Sequence, residues 1–261
     1  MHAAMGGSDE RWERISSAFA SCAIGVMAKS PRPGYSKTRL CPPLRPEHAA
    51  RLSAAFLRDT TEIVLAAANA APIAGYAAYA PAGTEAILTP HLAPGTRLVL
   101  ADGAGPMPQG VDGFGRSLLQ AVRAMLARGH SAACVLSSDT PTLPSSHLAL
   151  AARTLFAGDA KRVVLGACDD GGYYFLGMRQ PHPALFTDIA WSTETVAETT
   201  RVRAAQAGLD LVELPPWYDV DDAEALARLV RETESGGCAR WTRRAIEALG
   251  LTAFGRAATA A

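Results

Sequence analysis

Four cations, Lys29, Arg32, Lys37 and Arg39, fall within the stretch Lys29–Leu40. The stretch follows a short apolar run, Ala23 to Ala28, and contains Pro31, Pro33 and Gly34, residues that restrict or redirect a backbone. In an α/β protein, the loop at the carboxyl end of the first strand lies where ligands bind. Cations held there suit an anion with several phosphates, because charge-assisted contacts grip phosphate oxygens strongly. A solvated basic loop is the plainer reading. The position directly behind a buried strand favours the ligand, and it makes Lys29, Lys37 and Arg39, with Arg32, Gly34 and Thr38 around them, the candidate phosphate contacts.

Acids occur in three further places. Ser138-Asp139-Thr140-Pro141 follows the apolar run Ala132–Leu136. Pro141 disfavours helix before it, which leaves Asp139 on a turn, too far from the helix near Ser145 to cap it. Asp219-Val220-Asp221 would project both carboxylates to one side if extended, while Asp222 reads as a helix N-cap. In Asp169-Asp170-Gly171-Gly172-Tyr173-Tyr174 the glycines permit close backbone approach to a ligand, although Asp-Gly is also a strong hairpin-turn signal. Asp139 with Asp219 or Asp221 forms a plausible site for magnesium or manganese, since magnesium takes one or two carboxylates plus substrate phosphate oxygens. Trp191-Ser192-Thr193 opens an expected helix with Ser192 or Thr193 as its cap, and Trp191 walls a cleft or joins the core.

These sites need a frame. Apolar runs and helical periodicities alternate: strands at Cys22–Ala28, Pro72–Ala80, Thr96–Leu100, Ala132–Leu136, Arg162–Ala167, Tyr173–Met178 and Leu211–Leu214. The expected helices are Pro46–Ala68, Phe114–Arg128, Ser145–Phe156, Thr193–Ala207, Asp222–Glu232 and Cys238–Leu249. The pattern predicts an α/β protein with a mostly parallel sheet between two helical layers. Residues 1–21 read as an N-terminal extension, 22–235 as the main domain, and 236–261 as a C-terminal helix and tail beyond Ser235-Gly236-Gly237. The chain has 261 residues, 49% of them hydrophobic, and 25 basic side chains balance 25 acidic ones. A net charge of zero argues against a general nucleic-acid or anionic-membrane binder. The odd count of five cysteines, none in a C-x-x-C spacing, argues against a disulfide framework or structural zinc. The first 21 residues lack the apolar core of a signal peptide, so the expected location is cytoplasmic.

Taken in order, Lys29–Leu40, Ser138–Pro141, Asp170–Tyr174, Trp191–Thr193 and Asp219–Asp221 resemble the motifs of the bacterial glycosyltransferase-A-like transferases often encoded near radical-SAM or selenoprotein genes. The resemblance covers about Ala23 to Leu229. More distantly, the chain is similar to 2-phospholactate and molybdenum-cofactor guanylyltransferases. One stretch departs from the pattern: Asp112-Gly113-Phe114-Gly115-Arg116 carries Arg116 where a second acid is expected.

The resemblance implies a Rossmann-like nucleotidyltransferase or glycosyltransferase-A fold and a nucleotide donor, either a nucleoside triphosphate or a nucleotide sugar. The dense basic loop favours nucleotidyl transfer to a small phosphorylated acceptor. Glycosyl transfer and a non-catalytic nucleotide-binding role are the alternatives. In the expected arrangement Lys37 and Arg39 hold the triphosphate, with Lys29 near the α-phosphate. Asp139 and Asp221 hold the metal. Asp170 and the Gly171-Gly172 backbone line the acceptor side, and Tyr173, Trp191 and Ser192 are further substrate-binding candidates.

Overall fold

The computed structural model describes residues 20–257. Almost all of the expected N-terminal extension lies outside them. Seven strands form one sheet in the order β3-β2-β1-β4-β6-β5-β7. They are β1 Cys22–Lys29, β2 Ile73–Ala80, β3 Arg97–Leu100, β4 Ala132–Ser137, β5 Arg162–Ala167, β6 Tyr173–Met178 and β7 Asp210–Glu213. Only β6 runs against its neighbours. The sheet is therefore mostly parallel, as the alternating pattern implied. The apolar composition of β1 follows from its place: it pairs with β2 on one side and β4 on the other, under helices on both faces.

The longer helices are α1 Pro46–Ala67, α2 Phe114–Leu126, α3 Ser145–Ala157, α4 Val196–Gln206, α5 Ala223–Glu234 and α6 Arg240–Ala248. Helices α1 and α3 cover one face of the sheet, through Leu57, Val64, Leu148 and Leu155. Helices α2 and α4 cover the other, through Leu118, Leu119, Val122, Met125 and Ala204. Each buried Leu, Val or Met contributes roughly 1.5–3 kcal/mol. The opposite side of α1, with Leu52 and Phe56, packs on Leu226, Leu229 and Val230 of α5 and Ile246 of α6, so α1 is sandwiched rather than half-exposed. Among the described residues no helix is long and apolar enough to cross a membrane.

Helix α4 starts at Val196, three residues later than its apolar pattern suggested, and neither Ser192 nor Thr193 caps it. The Thr193 hydroxyl instead donates back to the Ala190 carbonyl, and Ser192 adopts a left-handed φ of 65°. The Ala197 amide in the first turn is satisfied from elsewhere, by the Gly171 carbonyl. Beyond the glycine pair 236–237, read as a linker, α6 returns onto α1. Its first amides, Trp241 N and Thr242 N, donate to the buried Asp59 carboxylate at 3.0 and 2.7 Å. Burial nevertheless holds the Asp59 carboxyl above its usual pKa range.

Asp59→Ala strands two partly or fully buried amide donors, and the expected loss is about 2 kcal/mol of unfolding free energy. Chemical denaturation would measure it; Asp59→Asn, which keeps one acceptor, is expected to lose less.

Candidate active site

The carboxyl ends of β1 and β4 and the β5–β6 turn meet at one rim of the sheet, around a cleft of about 620 Å³. The basic loop reaches it by winding around a residue the motif reading passed over, Ser36, which is 5% exposed. Ser36 accepts from the Arg32 amide and donates to the Ser30 carbonyl. Lys37 follows with a left-handed backbone (φ 51°, ψ 42°), and Thr38–Leu40 forms a short 3-10 turn whose Leu40 is fully buried. A lysine in this conformation carries strain of order 1 kcal/mol, held by the buried residues on either side.

The consequence is the direction of the Lys37 side chain, which turns inward above the Phe56 ring and is only 6% exposed. Its ammonium donates to Asp139 Oδ2 at 2.7 Å, Asp221 Oδ1 at 2.8 Å and the Val220 carbonyl at 2.8 Å. An ammonium has three donors, so all three are occupied. The same junction is braced by the backbone, where the Val220 amide donates to the Asp139 carbonyl at 2.9 Å. The Asp139 amide in turn donates to Ser137 Oγ. Arg39, 62% exposed at its side chain, reaches Asp221 Oδ2 at 3.4 Å.

Charge follows geometry. Burial works against the Lys37 ammonium, but Asp139 and Asp221 outweigh it and raise its pKa. Burial likewise opposes the Asp221 charge, and Lys37, Arg39 and Lys29 overcome it, so that carboxyl titrates below its usual range. For Asp219 the compensation from Lys37 is outweighed. Burial, then the charges of Asp221, Asp170 and Asp139, push its carboxyl up to about 7. Ligand atoms of Asp219, Asp170 and Cys168 lie within 4.8 Å of one another. Burial, with the acids around it, drives the Cys168 thiol far up, so it stays protonated and leaves the carboxylate oxygens as the hard ligands there.

Of the residues expected at the site, Lys29, Lys37, Thr38, Arg39, Asp139, Asp170, Gly172, Tyr173, Trp191, Ser192, Asp219 and Asp221 line this cleft. Arg32, Gly34 and Gly171 do not line it. Arg32 lies over the Tyr35 ring at the loop tip and Gly34 makes the turn there. Gly171 has a structural role: at φ 87° it sits so close to the Glu194 carbonyl that a Cβ would come within 1.9 Å. Asp170 serves the turn and the cleft together, accepting from the Gly172 amide at 2.8 Å. The phosphate role expected of Lys37 meets a different finding, since its donors are taken up by the acids expected to hold metal. Asp222 caps α5 as expected, accepting from the Ala225 amide.

Tyr35, Phe114 and Glu194 also line the cleft; Tyr35 and Phe114 lie inside stretches 29–40 and 112–116 without being singled out as site candidates, and Glu194 lies outside every motif. Trp191 donates its indole N–H to the Asp112 carbonyl at 3.1 Å and meets Phe114 edge-on at 5.7 Å. Its ring lies 2.8 Å from where a Cβ on Gly115 would be, which accounts for glycine there. Arg116, which replaces the expected acid, donates to the Gly103 and Gly105 carbonyls and so ties down the preceding loop.

The family model described as an uncharacterized protein conserved in bacteria, DUF2064, matches residues 62–193. The chain belongs to DUF2064. The matched span contains the Asp139 turn and the Asp170–Tyr174 hairpin and stops short of Lys37 and Asp221. No curated protein matches the chain. Among solved structures, a Desulfovibrio desulfuricans G20 protein named as a candidate nucleotide-diphospho-sugar transferase is similar at 24% identity and TM-score 0.73. The match covers 90% of this chain and 96% of that one. A nucleotidyl transferase from Methanothermobacter is similar at 13% identity and TM-score 0.50, covering 84% of this chain and 99% of that one. At such identities the likeness speaks for the fold.

The crowding of acids around Asp219 has a measurable sign. Its carboxyl binds a proton more tightly in the fold than at its ordinary value of 3.8. The charged form therefore destabilises the native state above pH 7, and the effect fades as pH falls towards 4. In the presence of chelator, Asp219→Asn is expected to raise Tm by several degrees at pH 8 and by little at pH 4.5. An equal gain at both would show that charge crowding is not the cause.

Proposed function

We propose that this chain is a divalent-metal-dependent transferase acting on a nucleotide donor. The primary reading is nucleotidyl transfer. An acceptor oxygen forms a bond to the α-phosphorus of a nucleoside triphosphate, and the bond to the leaving pyrophosphate breaks. The carrying observation is the rim itself: Asp139, Asp170, Asp219 and Asp221 converge there, while the lining cations, Lys29, Lys37 and Arg39, all come from one loop.

The donor set fits magnesium or manganese. Lys37 pairs with Asp139 and Asp221, with Arg39 also on Asp221, yet Asp219 remains so poorly compensated that its carboxyl favours a proton near neutrality. Hard carboxylate oxygens short of positive charge suit a hard dication. Asp219, with Asp221 or Asp139, would hold it, and the chemistry it would supply there is Lewis-acid stabilisation of charge on the donor phosphates. Lys37 acts through the acids by fixing where Asp139 and Asp221 stand. Arg39, with a single 3.4 Å contact, and the exposed Lys29 are the cations able to turn to the donor phosphates. Asp170, the Gly172 backbone, Tyr173, Trp191 and Ser192 face the acceptor.

One observation favours glycosyl transfer from a nucleotide sugar as a second reading. With Lys37 engaged by carboxylates, the loop offers fewer cations to a triphosphate than its composition suggests. A diphosphate held by metal needs fewer.

Thermal shift with triphosphates, diphosphates and nucleotide sugars, each with and without magnesium, separates these readings. Stabilisation by a triphosphate only with magnesium is the expected result. Stabilisation confined to nucleotide sugars would support the second reading, and metal-independent stabilisation would overturn both. Asp139→Asn is expected to lower turnover by about 10²–10³-fold.

A further inference from the structure

The acid–lysine junction lies on the α1 side of the rim, over Phe56, whereas Trp191 and Phe114 lie on the α2 side. We infer that this aromatic wall receives an uncharged, hydroxyl-bearing ring of the acceptor, and that it selects against a phosphorylated one. The inference rests on the proposed function to the extent that the donor's phosphates occupy the loop end of the cleft.

Charge is the first argument. Among the described residues the cations that line the cleft, Lys29, Lys37 and Arg39, belong to the end of β1 and the loop after it, Glu194 lies beside the wall, and Asp170 stands between the two ends with its carboxylate within 4.8 Å of the Asp219 carboxylate. Arginines in this part of the fold are held elsewhere. Arg116 binds the Gly103 and Gly105 carbonyls, Arg201 binds Glu213 and Glu198, and Arg203 binds Asp188 and the Thr187 carbonyl. A phosphate dianion at the wall would meet the Glu194 carboxylate with none of the described lining cations beside it, whereas a hydroxyl can donate to that carboxylate.

Shape is the second. Trp191 gives its N–H to Asp112, so it offers the cleft a ring rather than a donor. Phe114 beside it is 44% exposed, and Tyr173 lies 6.5 Å from the Trp191 centroid. The Tyr173 phenol oxygen is buried without a hydrogen-bond partner, although such oxygens are normally paired. An aromatic surface edged by carboxylates and hydroxyls matches a polyhydroxylated ring, which has apolar C–H faces and polar edges.

Rigidity is the third. Gly115 lets the Trp191 ring pack close while its N–H holds the Asp112 carbonyl, and Gly171 does the same for the Glu194 carbonyl, so the wall is formed in advance, which lowers the ordering cost of binding.

Saturation-transfer NMR on the full chain tests this. The probes are methyl hexopyranosides and myo-inositol, set against glucose 1-phosphate, glucose 6-phosphate and the free nucleosides. The expected result is saturation of C–H protons in at least one neutral ring, with affinity about tenfold or more above its phosphorylated counterpart. Trp191→Ala and the exposed-site variant Phe114→Ala are each expected to remove most of that signal, and Glu194→Gln to narrow the gap to phosphorylated rings. Tighter binding of sugar phosphates, displacement of the neutral ring by a nucleoside, or no neutral ring bound would overturn the inference. Absent nucleotide stabilisation with ring binding intact would strike the donor reading alone. Nucleotide stabilisation without ring discrimination would strike this inference alone.

Discussion

The Lys37 ammonium, with the Asp139 and Asp221 carboxylates and the Val220 carbonyl each within 2.8 Å, is the contact on which the rest of the rim depends. It joins three segments that the sheet delivers separately: the loop after β1, the turn after β4 and the strand-like approach to α5. Lys37 and Asp221 are 184 positions apart in sequence. Buried ion pairs add little net stability compared with apolar packing, but removing one partner is costly because the other charge is left uncompensated. Such a contact specifies an arrangement more than it stabilises one. Here the arrangement is two carboxylates held at fixed separation beneath a loop of cations.

That specification has an electrostatic consequence. One lysine is shared between two acids and leaves the neighbouring Asp219 disfavoured as an anion, so the rim is ordered and short of positive charge at once. On the proposed function, a bound dication would correct the shortage and bring donor phosphates with it. On the far side of the cleft the logic is different. There the fold uses glycines to let an indole approach, and it directs nearby arginines into carbonyls and ion pairs. The two ends of one cleft thus differ in charge because different structural demands shaped them.

Much of this was legible in the chain. Uniformly apolar runs marked the central strands, and helical spacing marked α1 and α2, because burial on both sheet faces and on one helix face leaves direct traces in residue type. The loop cations and the acids of two turns were found because charged side chains at strand ends are conspicuous. What they do to one another was not visible. The inward course of Lys37 depends on a left-handed φ in a residue with no propensity for it, and on Ser36 and Leu40 holding it there. The late start of α4 depends on Gly171 supplying a carbonyl to Ala197 from another part of the chain. Asp59, in the middle of a helix, gives no hint that it caps α6 almost two hundred positions later. The late start of α4 and the cap from Asp59 rest on long-range polar contacts, where local pattern carries no information, and the Lys37 course rests on a backbone conformation that residue type does not announce.

The central claim is that Lys37 couples Asp139 to Asp221, and a double-mutant cycle tests it most directly. Lys37→Met, Asp139→Asn and their combination would be compared by chemical denaturation in the presence of chelator, with the Lys37→Met and Asp221→Asn cycle alongside. The account predicts a coupling energy of about 1–3 kcal/mol in each cycle, the double variants losing less than the sum of the singles. Losses that add within about 0.5 kcal/mol would contradict it, for the lysine would then be a bystander to both acids.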